Sequence, residues 1–285
     1  MTFINHSDST RAKLAYTQIG AKHGRRVWVL HGIMGSKQNW SRFARYLSQN
    51  NPDLTITTID LRCHGDTEHV KAPHTVQACI EDLMTLGKDI GAPQVLIGHS
   101  FGGKVALLYA SKVSLLRLKL GLERVWTLDS PLVADVRPGH GEVARVIEAC
   151  GKMPLPRHNR LAVTDYFTDK GFSTGIAQWM TTNLRRVRSE DNLGPEGFTW
   201  KFDLSGINSL IDDYWKLDGW SLLTQIHPSI SVHLLRAERG LRWTDEDEER
   251  IKHGFPHVNV PLLKNSGHWV HIEQLDALIK MLGDL

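Results

Sequence analysis

The stretch "VLIGHSFGGKVALLYA", residues 95–110, decides how the chain is read. A short apolar run stops at Gly98; His99, Ser100, Phe101, Gly102 and Gly103 follow, and a helical pattern begins at Lys104. Such a run predicts a buried strand. The pentapeptide Gly98–Gly102 fits Gly-x-Ser-x-Gly: glycines let strand and helix pass closely, and the serine is pushed out at the end of the sheet. A glycine-rich turn with a capping serine accounts for the same letters. A strand before and a helix after favour a nucleophile at Ser100, and the rest of the chain has to supply its partners.

Outward from this corner, short apolar runs alternate with helical patterns. Lys13–Ile19, Val27–Leu30, Leu54–Asp60, Val125–Leu128, Ser231–Leu235 and Val258–Leu263 read as strands; Pro73–Gly87 and Lys104–Lys112 read as helices. Short continuous apolar strands separated by helices predict a parallel sheet covered on both faces. In such sheets chemistry sits beyond the carboxyl ends of the strands. This singles out His31, Asp60, Ser100, Asp129, Glu238 and His268.

One segment breaks the alternation. Across Pro131–Gln225 the pattern is helical with no strand, "GFSTGIAQWMTTNLRRV" (171–187) and "LSGINSLIDDYWKL" (204–217) both reading as amphipathic helices. The expected organisation is a core of residues 1–130 and 226–285, with residues 131–225 inserted as a helical cap between the strand ending at Asp129 and the strand ending near Leu235.

Composition bounds the rest. The chain has 285 residues, 41% hydrophobic and 23% charged, as in a globular domain. A net charge of +3 is too small to argue for nucleic acid or an anionic membrane. No apolar run approaches the roughly 18 residues of a membrane-spanning helix, so no stable membrane insertion is expected. The N-terminal residues lack the apolar centre of a secretory signal. Cys63, Cys79 and Cys150 form no close-spaced metal motif, and their odd number argues for free thiols in a reducing compartment. The expected location is the cytoplasm, with organelle import left open, and the expected assembly is a monomer or homodimer.

Four ordered motifs, "LHGIMGS", "DLRCHGDT", "GHSFGGK" and "NSGHWVH", run nearly the length of the chain and resemble the α/β-hydrolase superfamily, most of all its YbfF-like esterase branch. The resemblance implies an α/β fold of a mostly parallel central sheet flanked by helices, a helical cap, and cofactor-free hydrolysis of esters or thioesters.

It also implies roles. His268, in the loop after the last strand, would be the base that takes the proton from Ser100; His271 is the local competitor, read as structural. The oxyanion donors would be the amides of Phe101 and Ile33, with Met34 the alternative to Ile33; His31 would support that loop. The acid would be Asp129, after "VWTLD", with Glu238 as the alternative. The acidic run after Thr244, Asp245 to Asp247, reads as a helix N-cap with acids in the first turn in preference to a source of the acid. Asp60 would tie down the "RCHG" turn. Met34, Trp179 and Trp215 are candidate pocket residues, although aromatic residues of the cap (Trp200, Phe202 and Trp220 included) also read as packing. Arg185, Arg186 and Arg188 read as a solvated helix face. No metal is expected. The expected function is hydrolysis of carboxylic esters with short to medium acyl chains; a thioesterase, a carbon–carbon bond hydrolase and a small-molecule receptor are the alternatives.

Overall fold

A computed structural model of the chain describes residues 10–116, 120–134, 141–188, 196–240, 244–283 and 285. Its strands are β1 (Tyr16–Gly20), β2 (Arg25–Leu30), β3 (Leu54–Ile59), β4 (Val95–His99), β5 (Arg124–Leu128), β6 (Leu184–Val187), β7 (Gly197–Trp200), β8 (Ser231–Ala237), β9 (Val258–Asn259) and β10 (Leu262–Leu263). Eight of them form one sheet in the order β1-β3-β2-β4-β5-β8-β10, with β9 also on β8. The edge strand β1 is antiparallel to β3; the other described pairings in this sheet are parallel.

Alternation along the strands explains the two apolar layers. Trp28, Leu30 and Leu96 face one side, while Val27, Val29, Val95 and Ile97 face the other, because successive side chains of a strand point to opposite faces. On the first side the sheet is covered by α2 (Val76–Ile90) and α3 (Phe101–Leu115). On the second it is covered by α1 (Ser41–Asn50) and, from the C-terminal end, α11 (Leu275–Leu282), with the short α10 (Val270–Glu273) just before it.

Between β5 and β8 the chain leaves the sheet to form α4 (Glu142–Lys152), α5 (Leu161–Asp169), α6 (Thr174–Thr182), α7 (Leu204–Lys216) and α8 (Gly219–Gln225). Val163, Phe167, Ile176, Met180, Trp200 and Phe202 are buried together in this insertion. It is tethered through Lys104 of α3, a fully buried side chain whose Nζ donates to the carbonyls of Val133, Tyr214 and Leu217 at 3.0, 3.3 and 2.9 Å. The ammonium also lies 4.4 Å above the Tyr214 ring.

Two details depart from the sequence pattern. The insertion is not all helical: β6 and β7 pair antiparallel, Leu184 opposite Trp200 and Val187 opposite Gly197. Leu184 and Val187 are three apart and mimic a helical stripe, yet Arg185 and Arg186 between them are exposed on a strand rather than on a helix face. The run Val258–Leu263 is also not one strand. Pro261 cannot donate to a ladder, and the run divides into β9 and β10, which pair with different parts of β8. The acidic run after Thr244 is the first turn of α9 (Asp245–Gly254), where Thr244 and Asp247 form a capping box. Among the described residues, no helix is long and apolar enough to cross a membrane. His140 lies outside the described residues.

Candidate active site

Ser100 stands between β4 and α3 with φ 51° and ψ −113°, a conformation few L-residues adopt. The corner is held by Ser100 N–H donating to Leu128 O at 3.0 Å. It is made possible by glycine: a Cβ on Gly98 would lie 2.0 Å from Gly102 O, and one on Gly102 would lie 2.6 Å from His31 O. The serine thus tops the sheet at the N-terminus of α3, where the first amides, that of Phe101 among them, have no intrahelical acceptor.

The loop after β2 supplies a second set of amides. Met34, at φ 55°, donates its N–H to His64 Nε2 at 2.9 Å, and Gly35 N–H donates to Gly32 O at 2.9 Å. The amide of Ile33, just before them, has no partner among the described residues, and Ile33 lines the same cavity as Ser100. Met34 is therefore spent on the loop's own structure.

Two buried histidines clamp this loop. His31 Nε2 accepts from Leu61 N–H at 3.0 Å, so its Nδ1–H donates to Gly32 O at 2.7 Å. His64 Nε2 accepts from Met34, so its Nδ1–H donates to Arg62 O at 2.8 Å. Both rings must be neutral to accept at Nε2. Burial holds both below the ordinary histidine value, opposed for His31 by Asp60 and reinforced for His64 by His31. Asp60 closes the clamp, accepting from Lys37 N–H and Nζ and from Asp66 N–H.

Asp129 follows β5 at φ 46° and is buried. Its Oδ2 lies 2.7 Å from His268 Nδ1, and its Oδ1 accepts from Ala237 N–H at 3.3 Å. With Nδ1–H directed at the carboxylate, His268 Nε2 is left as the acceptor. Glu238 is elsewhere: it is exposed, and its Oε2 accepts from Asn265 N–H at 2.7 Å, bracing the turn that carries His268. Glu273 braces the same turn from Gly267 N–H and Trp269 N–H.

His99 and His271 back the site. His99 Nε2–H donates to His268 O at 2.7 Å, and His271 stacks on Trp40 with centroids 4.0 Å apart. Burial, with His268 and His271 as neighbours, keeps His99 well below the usual range; burial and then His268 push His271 down to about 3.

Ser100, Asp129 and His268 all line one cavity of about 310 Å³. Ile33, Val143, Val146, Ile176, Trp179 and Trp269 supply its apolar wall, much of it from the insertion. Of the three expected pocket residues, Trp179 is there. Met34 and Trp215 are not: Met34 is fully buried beneath the loop, and Trp215 packs against Tyr214 near Lys104. Trp200 stacks on Phe202 inside the insertion, and Trp220 lies under Arg250. His64 and His99 were not picked out by the sequence pattern; "RCHG" and "GHS" carry them in plain sight, but their partners are remote in sequence.

The model of the alpha/beta hydrolase family matches residues 29–281. The chain is 27% identical over 270 residues to the sn-1-specific diacylglycerol lipase ABHD11 of Mus musculus, covering 90% of this chain and 80% of that protein. It is 26% identical over 254 residues to a putative esterase/lipase of Haemophilus influenzae, covering 89% and 80%. Among solved structures, a marine microorganism esterase superposes with a TM-score of 0.78 at 21% identity, covering 95% of this chain and 99% of that one.

Proposed function

The chain belongs to the alpha/beta hydrolase family, and on that footing we propose that it is a serine hydrolase of carboxylic esters. The observation that carries the reading is the convergence of Ser100, His268 and Asp129 on one cavity, with the Asp129–His268 contact at 2.7 Å. The relatives named for lipase and esterase activity support the ester as the bond attacked.

In this mechanism Ser100 Oγ attacks the ester carbonyl while His268 Nε2 takes the hydroxyl proton. Negative charge moves onto the carbonyl oxygen, where the Phe101 and Ile33 amides receive it. Collapse expels the alcohol, which takes the proton back from His268 and leaves an acyl-serine. Water, deprotonated by His268, then releases the acid and restores Ser100. Asp129 holds the imidazole in the tautomer that presents Nε2 and stabilises the imidazolium.

The size and lining of the cavity support a reading of the acyl class. At about 310 Å³ it stands at the lower end of ligand cavities, about 300–1,000 Å³, and its wall is apolar. Short to medium acyl chains fit it best. Turnover of p-nitrophenyl esters of increasing chain length tests the assignment: rates should peak at short to medium chains and fall in Ser100→Ala by on the order of 10³- to 10⁶-fold. Preference for acyl-coenzyme A over simple esters in the same panel would replace the ester reading with a thioesterase.

A further inference from the structure

Away from the cavity, three side chains from separate parts of the chain meet where the insertion rests on the core. Cys63 comes from the loop after β3, His74 from the approach to α2, and Asp203 from the N-cap of α7. One ligand atom of each lies within 4.8 Å of the others, and Cys63 Sγ is 3.3 Å from His74 Nδ1. We propose that Cys63, His74 and Asp203 form a zinc site that clasps the insertion to the core.

The donor chemistry fits. Thiolate, imidazole and carboxylate are the ligands zinc takes. A tetrahedral ion about 2.3 Å from sulfur and about 2.0 Å from nitrogen sets those atoms about 3.5 Å apart, close to the separation present. The charges also close: a thiolate and a carboxylate neutralise one divalent cation. The nearby guanidinium of Arg62 is already matched by Asp82, with which it makes two hydrogen bonds at 2.7 and 2.9 Å. Cys63 is buried, whereas His74 and Asp203 are partly exposed, so the ion has an entry path and water can complete the fourth position.

Two features of the backbone point the same way. Cys63 is held at φ 64°, a left-handed conformation that disfavours an ordinary side chain and suits Gly or Asn. Gly206 sits in the first turn of α7, beside Asp203. A Cβ there would lie 2.3 Å from Cys63 Sγ and 3.2 Å from Asp203 Oδ2. The missing side chain is the space in which sulfur and carboxylate face one another. Asp203 Oδ1 is held by Ser205 N–H at 3.0 Å, which leaves Oδ2 for the metal. The backbones are already joined, Asp203 N–H donating to Cys63 O at 2.9 Å. Binding releases the thiol proton to solvent and forms the S–Zn bond.

The test uses the full chain, stripped with a chelator. Cobalt(II) should give a thiolate-to-metal charge-transfer band in the wild type. Competition with a chromogenic chelator should show one zinc bound per chain, and zinc should raise the melting temperature. Cys63→Asn keeps a residue that tolerates the left-handed backbone, and Asp203→Asn keeps the helix cap. Each should weaken zinc binding by roughly tenfold or more, and Cys63→Asn should abolish the band and the thermal shift. No charge-transfer band in the folded wild-type chain, or equal zinc affinity in wild type and Cys63→Asn, would overturn the proposal. The first result is read on the wild type alone, so misfolding of a variant cannot mimic it; for the second, circular dichroism verifies that Cys63→Asn is folded.

Discussion

Asp129→Asn is the substitution whose consequence follows most directly from the geometry. Asp129 Oδ2 receives His268 Nδ1–H at 2.7 Å while Oδ1 accepts from Ala237 N–H. Asparagine cannot serve both. If its NH₂ faces His268, the imidazole must accept at Nδ1 and carry its proton on Nε2, where no base remains for Ser100. If its oxygen faces His268, its NH₂ confronts the Ala237 N–H, donor against donor, at a cost of about 1–3 kcal/mol. In either case the carboxylate that stabilises the imidazolium is gone. Two unit charges about 4 Å apart at an effective dielectric of about 20 interact by about 4 kcal/mol, or roughly 10³-fold in rate; loss of the correct tautomer brings the expected fall in kcat to about 10³- to 10⁴-fold. Because Asp129 acts through His268 rather than on the acyl group itself, KM should change little. Glu238→Gln is the control: its amide oxygen still accepts from Asn265 N–H, and kcat should stay within about threefold, a change worth under about 1 kcal/mol. The assay is steady-state hydrolysis of p-nitrophenyl butyrate, with circular dichroism to verify folding. Near-wild-type turnover by Asp129→Asn, or a collapse confined to Glu238→Gln, would refute the reasoning.

Three further outcomes are expected. His64→Leu leaves the Met34 amide buried without an acceptor and should cost about 1–3 kcal/mol in urea denaturation, with a fall in kcat as the Ile33 amide loses its support. Asp82→Ala strands the buried guanidinium of Arg62 and should destabilise by about 3–5 kcal/mol, read as a lower denaturation midpoint with kcat of the folded fraction retained. Acid should unfold the protein early. His31, His64, His99 and His271 are held below the ordinary histidine value by burial. The unfolded chain therefore takes up protons first, near pH 6.5, and His271 in the fold only at about 3. Stability is complete above about pH 6.5 and falls with acid by up to about 1.4 kcal/mol per pH unit for each group; urea midpoints that stay flat from neutral pH to about pH 5 would contradict this.

The sheet was legible because buried parallel strands are short apolar runs, and Ser100 because close passage of strand and helix demands glycine on both sides of it. Asp129 was legible as the residue ending such a run, but Glu238 ends one too. Only the tertiary arrangement shows Glu238 exposed on Asn265, with Asp129 turned inward on His268. The β6–β7 hairpin was hidden because two apolar residues three apart serve a helix and a short strand alike. Met34 was misplaced because its positive φ turns it under the loop, a local conformation that composition does not announce. His64 and the Cys63–His74–Asp203 cluster were invisible for a common reason: their partners come together only when distant segments pack.

The central claim is that Ser100 is an activated nucleophile at the floor of the cavity. A fluorophosphonate probe on the folded chain, with the adduct located by peptide mass spectrometry, tests it most directly. The account predicts one adduct, on Ser100, formed in step with loss of ester hydrolysis and lost in Ser100→Ala. Folded wild-type protein that takes no label, or takes it elsewhere while Ser100→Ala hydrolyses p-nitrophenyl butyrate at the wild-type rate, would contradict it.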